Sequence, residues 1–99
     1  MKLIVTEIVY AKMEEIKSYI AEDSYKNAVK VIDEILKCFE NINLFPNSGN
    51  FLCNKIKKYT ELRYKIVYSF AILYRVTDEE VVITNILHLK RDFNLIDFN

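Results

Sequence analysis

The sequence predicts an α+β domain of order β-α-α-β-β-β: a small, twisted, mostly antiparallel sheet with a helical hairpin packed on one face. Three observations predict it. Apolar residues recur at helical spacing through residues 9–42, three strand-like runs follow between Glu61 and Asp92, and a short β-branched segment, Lys2–Val5, comes before both. Period 3.6 gives way to period 2 along the chain, and helices segregated from a run of strands are the α+β pattern. The 99 residues make a single domain, 1–99, with too little chain for two cores.

Taken in order, Lys2–Val5 reads as a strand and Thr6 as an N-cap whose hydroxyl accepts an orphan backbone N–H. Val9, Met13, Ile16 and Ile20 form the apolar stripe of an amphipathic helix, while Lys12, Glu14, Glu15, Lys17 and Ser18 form its solvated face. Glu22-Asp23-Ser24 breaks the pattern, and Ser24 caps a second helix. Ala28, Ile32, Ile35, Phe39 and Ile42 run through that helix in register, with Val29, Val31 and Leu36 widening the stripe. The short break implies an antiparallel hairpin, and the wider stripe implies that the second helix lies deeper. Cys38 falls among these positions and is assigned to packing.

Asn43–Thr60 is the least regular stretch. It holds Pro46 and Gly49, the only Pro and the only Gly. Pro46 stops the helix behind it, and Gly49 permits positive φ. Phe45, Phe51 and Leu52 are expected to tuck the loop against the sheet edge. The segment 54–59 is either a strand-like lead-in or an exposed loop. Leu62, Tyr64 and Ile66 then alternate with Arg63 and Lys65, the pattern of a strand with one wet face. Phe70–Val76 and Val81–Leu89 are nearly continuous apolar runs, which suit strands covered on both faces. Thr77-Asp78-Glu79-Glu80 joins them as a hairpin turn. Residues 92–99 alternate acids with Phe93, Leu95, Ile96 and Phe98, as a short helix or an extended tail. With both helices on one side, the reverse face of the sheet is expected to be bare, and an uncovered apolar face marks a partner site.

A 52% hydrophobic fraction with a single Gly specifies a packed globule. The apolar runs fall short of the roughly 20 residues a membrane span needs. There is no secretory pattern at the N-terminus, so the expectation is a cytoplasmic protein with Cys38 and Cys53 reduced. One His and two separated Cys make no metal site, and a lone Gly makes no phosphate loop, so no metal and no cofactor are expected. Charge is uneven: six Lys against eight acids in residues 1–50, eight basic residues against six acids in residues 51–99. Lys55, Lys57, Lys58, Arg63, Lys65 and Arg75 stand against Glu61 alone, a local balance of +5. This is either a surface for a polyanion or acidic partner, or a solvated strand face with a basic loop.

Taken together, these patterns resemble the RelE/ParE superfamily of type II toxin–antitoxin toxins. The resemblance spans nearly the whole chain. It rests on the helix ending Ile16-Lys17-Ser18-Tyr19-Ile20-Ala21-Glu22-Asp23, the loop Phe45-Pro46-Asn47-Ser48-Gly49, the Arg63 strand, Ile72-Leu73-Tyr74-Arg75, and Ile86-Leu87-His88-Leu89-Lys90-Arg91-Asp92. It implies a cognate antitoxin as partner, a toxin–antitoxin hetero-oligomer, and one of two activities. A RelE-like toxin cuts messenger RNA on the ribosome with basic sheet residues and a C-terminal aromatic or His. A ParE-like toxin poisons DNA gyrase by binding and stabilises plasmids. Here the RelE-type basic positions appear as Leu62, Tyr64 and Ala71, only Arg91 is retained, and no His or Tyr follows it, so the ParE-like branch is favoured. A member that binds its partner without toxicity is the third reading.

The candidate residues follow. If the chain were RelE-like, His88 would be the general base towards a ribose 2′-OH, with Arg91 or Arg63 stabilising the phosphorane, so that the catalytic candidates are His88, Arg91 and Arg63; alternatively His88 simply hydrogen-bonds a strand end or the C-terminal segment. Candidates for target or partner binding are Lys57, Lys58, Arg63, Lys65, Tyr74, Arg75, Lys90 and Arg91, with Tyr74 also a core candidate and Arg63 also a packing element.

Overall fold

The computed structural model describes residues 1–56 and 60–92. Strand β1 (Lys2–Val5) leads into helices α1 (Glu7–Ala21) and α2 (Tyr25–Leu44). A 3-10 turn (Pro46–Ser48), strand β2 (Asn50–Phe51) and the one-turn helix α3 (Leu52–Ile56) follow. Strands β3 (Arg63–Val67), β4 (Phe70–Val76) and β5 (Glu80–His88) complete a sheet of order β1-β5-β4-β3-β2. β1 runs parallel to β5, with Leu3 opposite Val81; the other described pairs are antiparallel. The α+β architecture is as predicted. The additions are β2 and α3, both inside the stretch that carried no usable period.

Val9, Met13 and Ile16 of α1 and Ile35, Phe39 and Ile42 of α2 pack onto Ile72, Tyr74, Val81, Ile83 and Ile86 as one core. Fully burying a large aliphatic side chain contributes about 1.5–3 kcal/mol, so this cluster dominates folding. Ser24 caps α2 as expected, its Oγ accepting the Asn27 N–H at 3.1 Å. Thr6 does not cap α1. Its hydroxyl donates to the Ile83 carbonyl at 3.1 Å and so ties the β1–α1 junction to β5. Ser24→Ala should therefore lower stability by about 1 kcal/mol, read as a shift in the urea midpoint at unchanged slope.

The second helix is not deeper along its whole stripe. Val29 and Leu36 are 45% and 43% exposed, because a helix on a sheet buries one band and, among the described residues, nothing covers the outer flank of α2. Nor does the loop tuck in all its aromatics: Leu52 is fully buried, but Phe45 and Phe51 are exposed.

β3 does not have the single wet face expected: Leu62 and Tyr64 pack on an apolar cluster of the reverse face, and the cations Arg63 and Lys65 are half-buried as well. Arg63 pairs opposite Tyr74 and Lys65 opposite Ile72, on the helix side. Ile66, expected inside, is exposed. The cations are satisfied there by neighbours distant in sequence. Lys65 Nζ donates to Asn41 Oδ1 at 2.6 Å and Ser48 Oγ at 3.2 Å. Arg63 Nη1 donates to the carbonyls of Gly49 (3.0 Å) and Asn47 (3.3 Å), and its guanidinium lies 4.0 Å over the Phe51 ring.

The reverse face is not bare either. Leu52 of α3 closes a small second core with Ala71, Leu73 and Leu87, flanked by Leu62, Tyr64 and Leu89. The two cores coexist because β5 carries an irregularity: Leu73 pairs with Asn85, while the next residue, Tyr74, pairs with Ile83. Thr84 is the extra residue, and its hydroxyl donates to the Leu73 carbonyl at 3.2 Å. The bulge shifts the alternation, so Val81 and Ile83 share the helix side with Ile86, and Leu87 faces the other way.

Candidate functional site

The two-residue turn Tyr68-Ser69 brings Phe70 opposite His88, where β5 ends. Tyr68 sits at φ 53°, a left-handed conformation that a non-glycine residue adopts at a cost of about 1–2 kcal/mol. The chain then doubles back. The His88 N–H donates to Asp92 Oδ2 at 2.7 Å, and the Asp92 N–H donates to the His88 carbonyl at 2.8 Å. His88 Nδ1 accepts the backbone N–H groups of Lys90 and Arg91, both at 3.2 Å. Its ring stands edge-on to Phe70 at 5.5 Å.

These contacts fix the imidazole chemically. A nitrogen that accepts two amides carries no proton, so the neutral ring bears its hydrogen on Nε2. The lone pair a general base needs is engaged by the backbone, and Nε2 is left as a donor. His88 thus plays the strand-end role that its alternative reading assigned.

Arg91 Nε pairs with Asp92 Oδ1 at 3.1 Å. Burial pushes the Asp92 carboxyl up, but the Arg91 hydrogen bond, the His88 amide and the Arg91 charge outweigh it and hold the group below its usual value of 3.8. A depressed carboxylate pKa contributes stability above the unfolded value, and the contribution fades as pH falls through the folded one. The turn should accordingly loosen below pH 3.8, seen as faster exchange of the His88 amide. Asp92→Asn should remove that pH dependence and raise exchange at neutral pH as well.

Beside this corner lies a groove of about 920 Å³ between the sheet end and the helical hairpin. Ile16, Ile20, Val31, Phe70 and Ile86 form its walls. Lys12, Glu15, Tyr19, Tyr68, Arg91 and Asp92 line it as well, so its charged residues are two cations and two carboxylates. A charge-balanced, largely apolar groove suits a polypeptide segment; a polyanion needs an excess of positive charge.

The predicted residues divide sharply. His88 and Arg91 meet at the groove. The alternation of faces does not decide this, because the strand ends at His88 and residues 89–92 are a turn. Lys90 is exposed beside them. Arg63 does not join them: it pairs opposite Tyr74, four residues along β4 from Phe70, about 13 Å at strand rise. Of the two alternative cations, Arg91 stands beside His88 and Arg63 does not. Arg63 and Lys65 are engaged in internal hydrogen bonds. Tyr74 is fully buried and offers no surface to a partner. Arg75 is exposed, opposite Val82, on the reverse face. Lys57, Lys58 and the tail 93–99 lie outside the described residues.

Sequence reasoning missed Lys12, Glu15 and Tyr19 as groove residues. The signal was present: their spacing of three and four places all three on one helix face, and Tyr19 adds a large apolar body to an otherwise charged stripe.

Fold and groove define a small α+β domain with one helical hairpin on an open mixed sheet. The model of the family described as ParE toxin of type II toxin-antitoxin system, parDE, matches residues 3–93. The chain belongs to that family. Among solved structures it is similar to a chain of the chromosomal ParDE TA system from P. aeruginosa, with a TM-score of 0.74 at 20% identity, covering 90% of this chain and 96% of that one. At that identity the likeness is one of fold. No curated protein matches the chain. No described helix is long and apolar enough to cross a membrane.

Proposed function

We propose that this toxin arrests growth in the cytoplasm by binding DNA gyrase, and that a cognate antitoxin neutralises it in a hetero-oligomer. Such a pair would stabilise a plasmid that carries it. One observation carries the choice of target: His88 Nδ1 is taken by the Lys90 and Arg91 backbone amides. A metal-free ribonuclease needs a free base beside a cation on one phosphate, and here the cation Arg91 is at hand while the base is engaged. That argues for a binding inhibitor over a ribosome-dependent endoribonuclease. The groove supports the partner reading, since a disordered antitoxin segment that folds on binding needs an apolar channel with a mixed-charge rim.

Purified chain should inhibit gyrase supercoiling, and induction should arrest growth without codon-positioned cuts in messenger RNA. Loss of both inhibition and arrest would describe a non-toxic member. Arrest accompanied by such cuts, abolished by His88→Ala with Arg91→Ala, would move the activity to the ribosome.

A further inference from the structure

The outer flank of α2 holds an apolar band that the core uses only at Ile32 and the groove does not use. Tyr25, Val29, Ile32 and Leu36 follow one another at intervals of four, three and four residues, which confines them to one narrow strip about 16 Å long. Tyr25, Val29 and Leu36 are 66%, 45% and 43% exposed, while Ile32 is half-buried against the main core. The 4-3-4 interval is the seam of a two-helix coiled coil. A solvated helix face has no need of it.

The charges beside the band indicate what covers it. Lys26, Asp33 and Glu40 flank it at seven-residue intervals, so the flank is positive at the helix start and negative from its middle onward. An antiparallel two-fold axis between Val29 and Ile32 sets Val29 of each copy against Ile32 of the other, and Tyr25 against Leu36. The same axis sets Lys26 of each copy against Asp33 of the other, twice. A parallel register aligns like with like. Among the described residues, Asp33 is held only by Lys37, at 3.1 Å on an exposed surface, an intrahelical pair too weak to withhold it. We infer that the outer face of α2 is a self-association surface, taking a second copy of this chain in an antiparallel, two-fold arrangement. Such a contact is isologous and closed, so it yields a dimer and no longer polymer.

Light scattering of the full chain from micromolar to submillimolar concentration tests this. The mass should rise from 11.8 kDa to twice that value. Leu36→Glu should hold the chain monomeric with an unchanged melting curve, because the side chain it replaces is already solvent-exposed. Lys26→Glu should weaken dimerisation roughly tenfold by placing two acids across the seam. Lys26→Glu combined with Asp33→Lys should restore it, which damage to the fold would not do. A chain monomeric at every concentration, a dimer that survives Leu36→Glu, or a charge swap without rescue would each overturn the proposal. So would a monomer whose complex with an antitoxin is broken by Leu36→Glu, since the band would then belong to that partner.

Discussion

Gly49→Ala should destabilise the fold by about 3 kcal/mol, the upper end of the overpacking range, lowering Tm on the order of 15 °C for a domain this size. The cause is space. Gly49 has φ −77° and ψ 156°, an ordinary extended conformation, so the positive φ that a glycine permits is not used. A Cβ at this position collides with the Tyr74 hydroxyl, and it would also lie 2.8 Å from a Tyr74 ring carbon and 2.9 Å from the Tyr64 carbonyl oxygen. The last of these belongs to the backbone of β3 and has no rotamer to escape into. Two comparisons separate this cause from backbone strain. Gly49→Asn should be worse than Gly49→Ala, whereas a left-handed site tolerates Asn best. Tyr74→Phe should fail to rescue Gly49→Ala, because the ring carbon and the Tyr64 oxygen remain. Chemical denaturation of the variants reads both.

Tyr74→Phe by itself should cost about 2 kcal/mol. The Tyr74 hydroxyl donates to the Pro46 carbonyl at 2.9 Å and accepts the Gly49 N–H at 2.8 Å. A single oxygen thus binds the loop after α2 to the middle of β4. Phe keeps the ring and its packing but strands a buried donor and an acceptor, which is the costly way to lose a hydrogen bond. A pH signature accompanies the loss. Burial, opposed by the Gly49 hydrogen bond and the Arg63 charge, raises the Tyr74 pKa above its usual 10.0. For a raised phenol the stability is intact below the unfolded value. It falls as pH climbs from there through the folded value, because the unfolded chain releases its proton first. Alkaline unfolding monitored between those limits should be shallower in Tyr74→Phe than in the parent. Equal slopes would mean that Tyr74 does not titrate on unfolding.

The errors of sequence reasoning share a physical cause. Residues 9–42 were legible because burial is periodic there, and 70–88 because two apolar runs are parted by a polar turn. β3 is the instructive failure. Its alternation is real, yet polarity does not name the inner face when long cations can reach loop carbonyls and amides, as Arg63 and Lys65 do. β2 and α3 carry two and five residues, too few for any period to stand out. The Thr84 bulge left no mark in a run that is apolar on every side.

The site was half legible. His88 and Arg91 stand close in sequence, and a turn kept them close in space. Arg63 was grouped with them on chemistry alone, and the sheet separates the groups. Local pattern was enough for the sequence by itself to determine two amphipathic helices, a β-meander, the Ser24 cap and the likeness to a toxin family. Tertiary structure alone decided that both faces of β3 are partly covered, why position 49 admits only a glycine, and which charges gather at one groove. Those depend on distances between residues far apart in the chain, and a one-dimensional period carries no information about them.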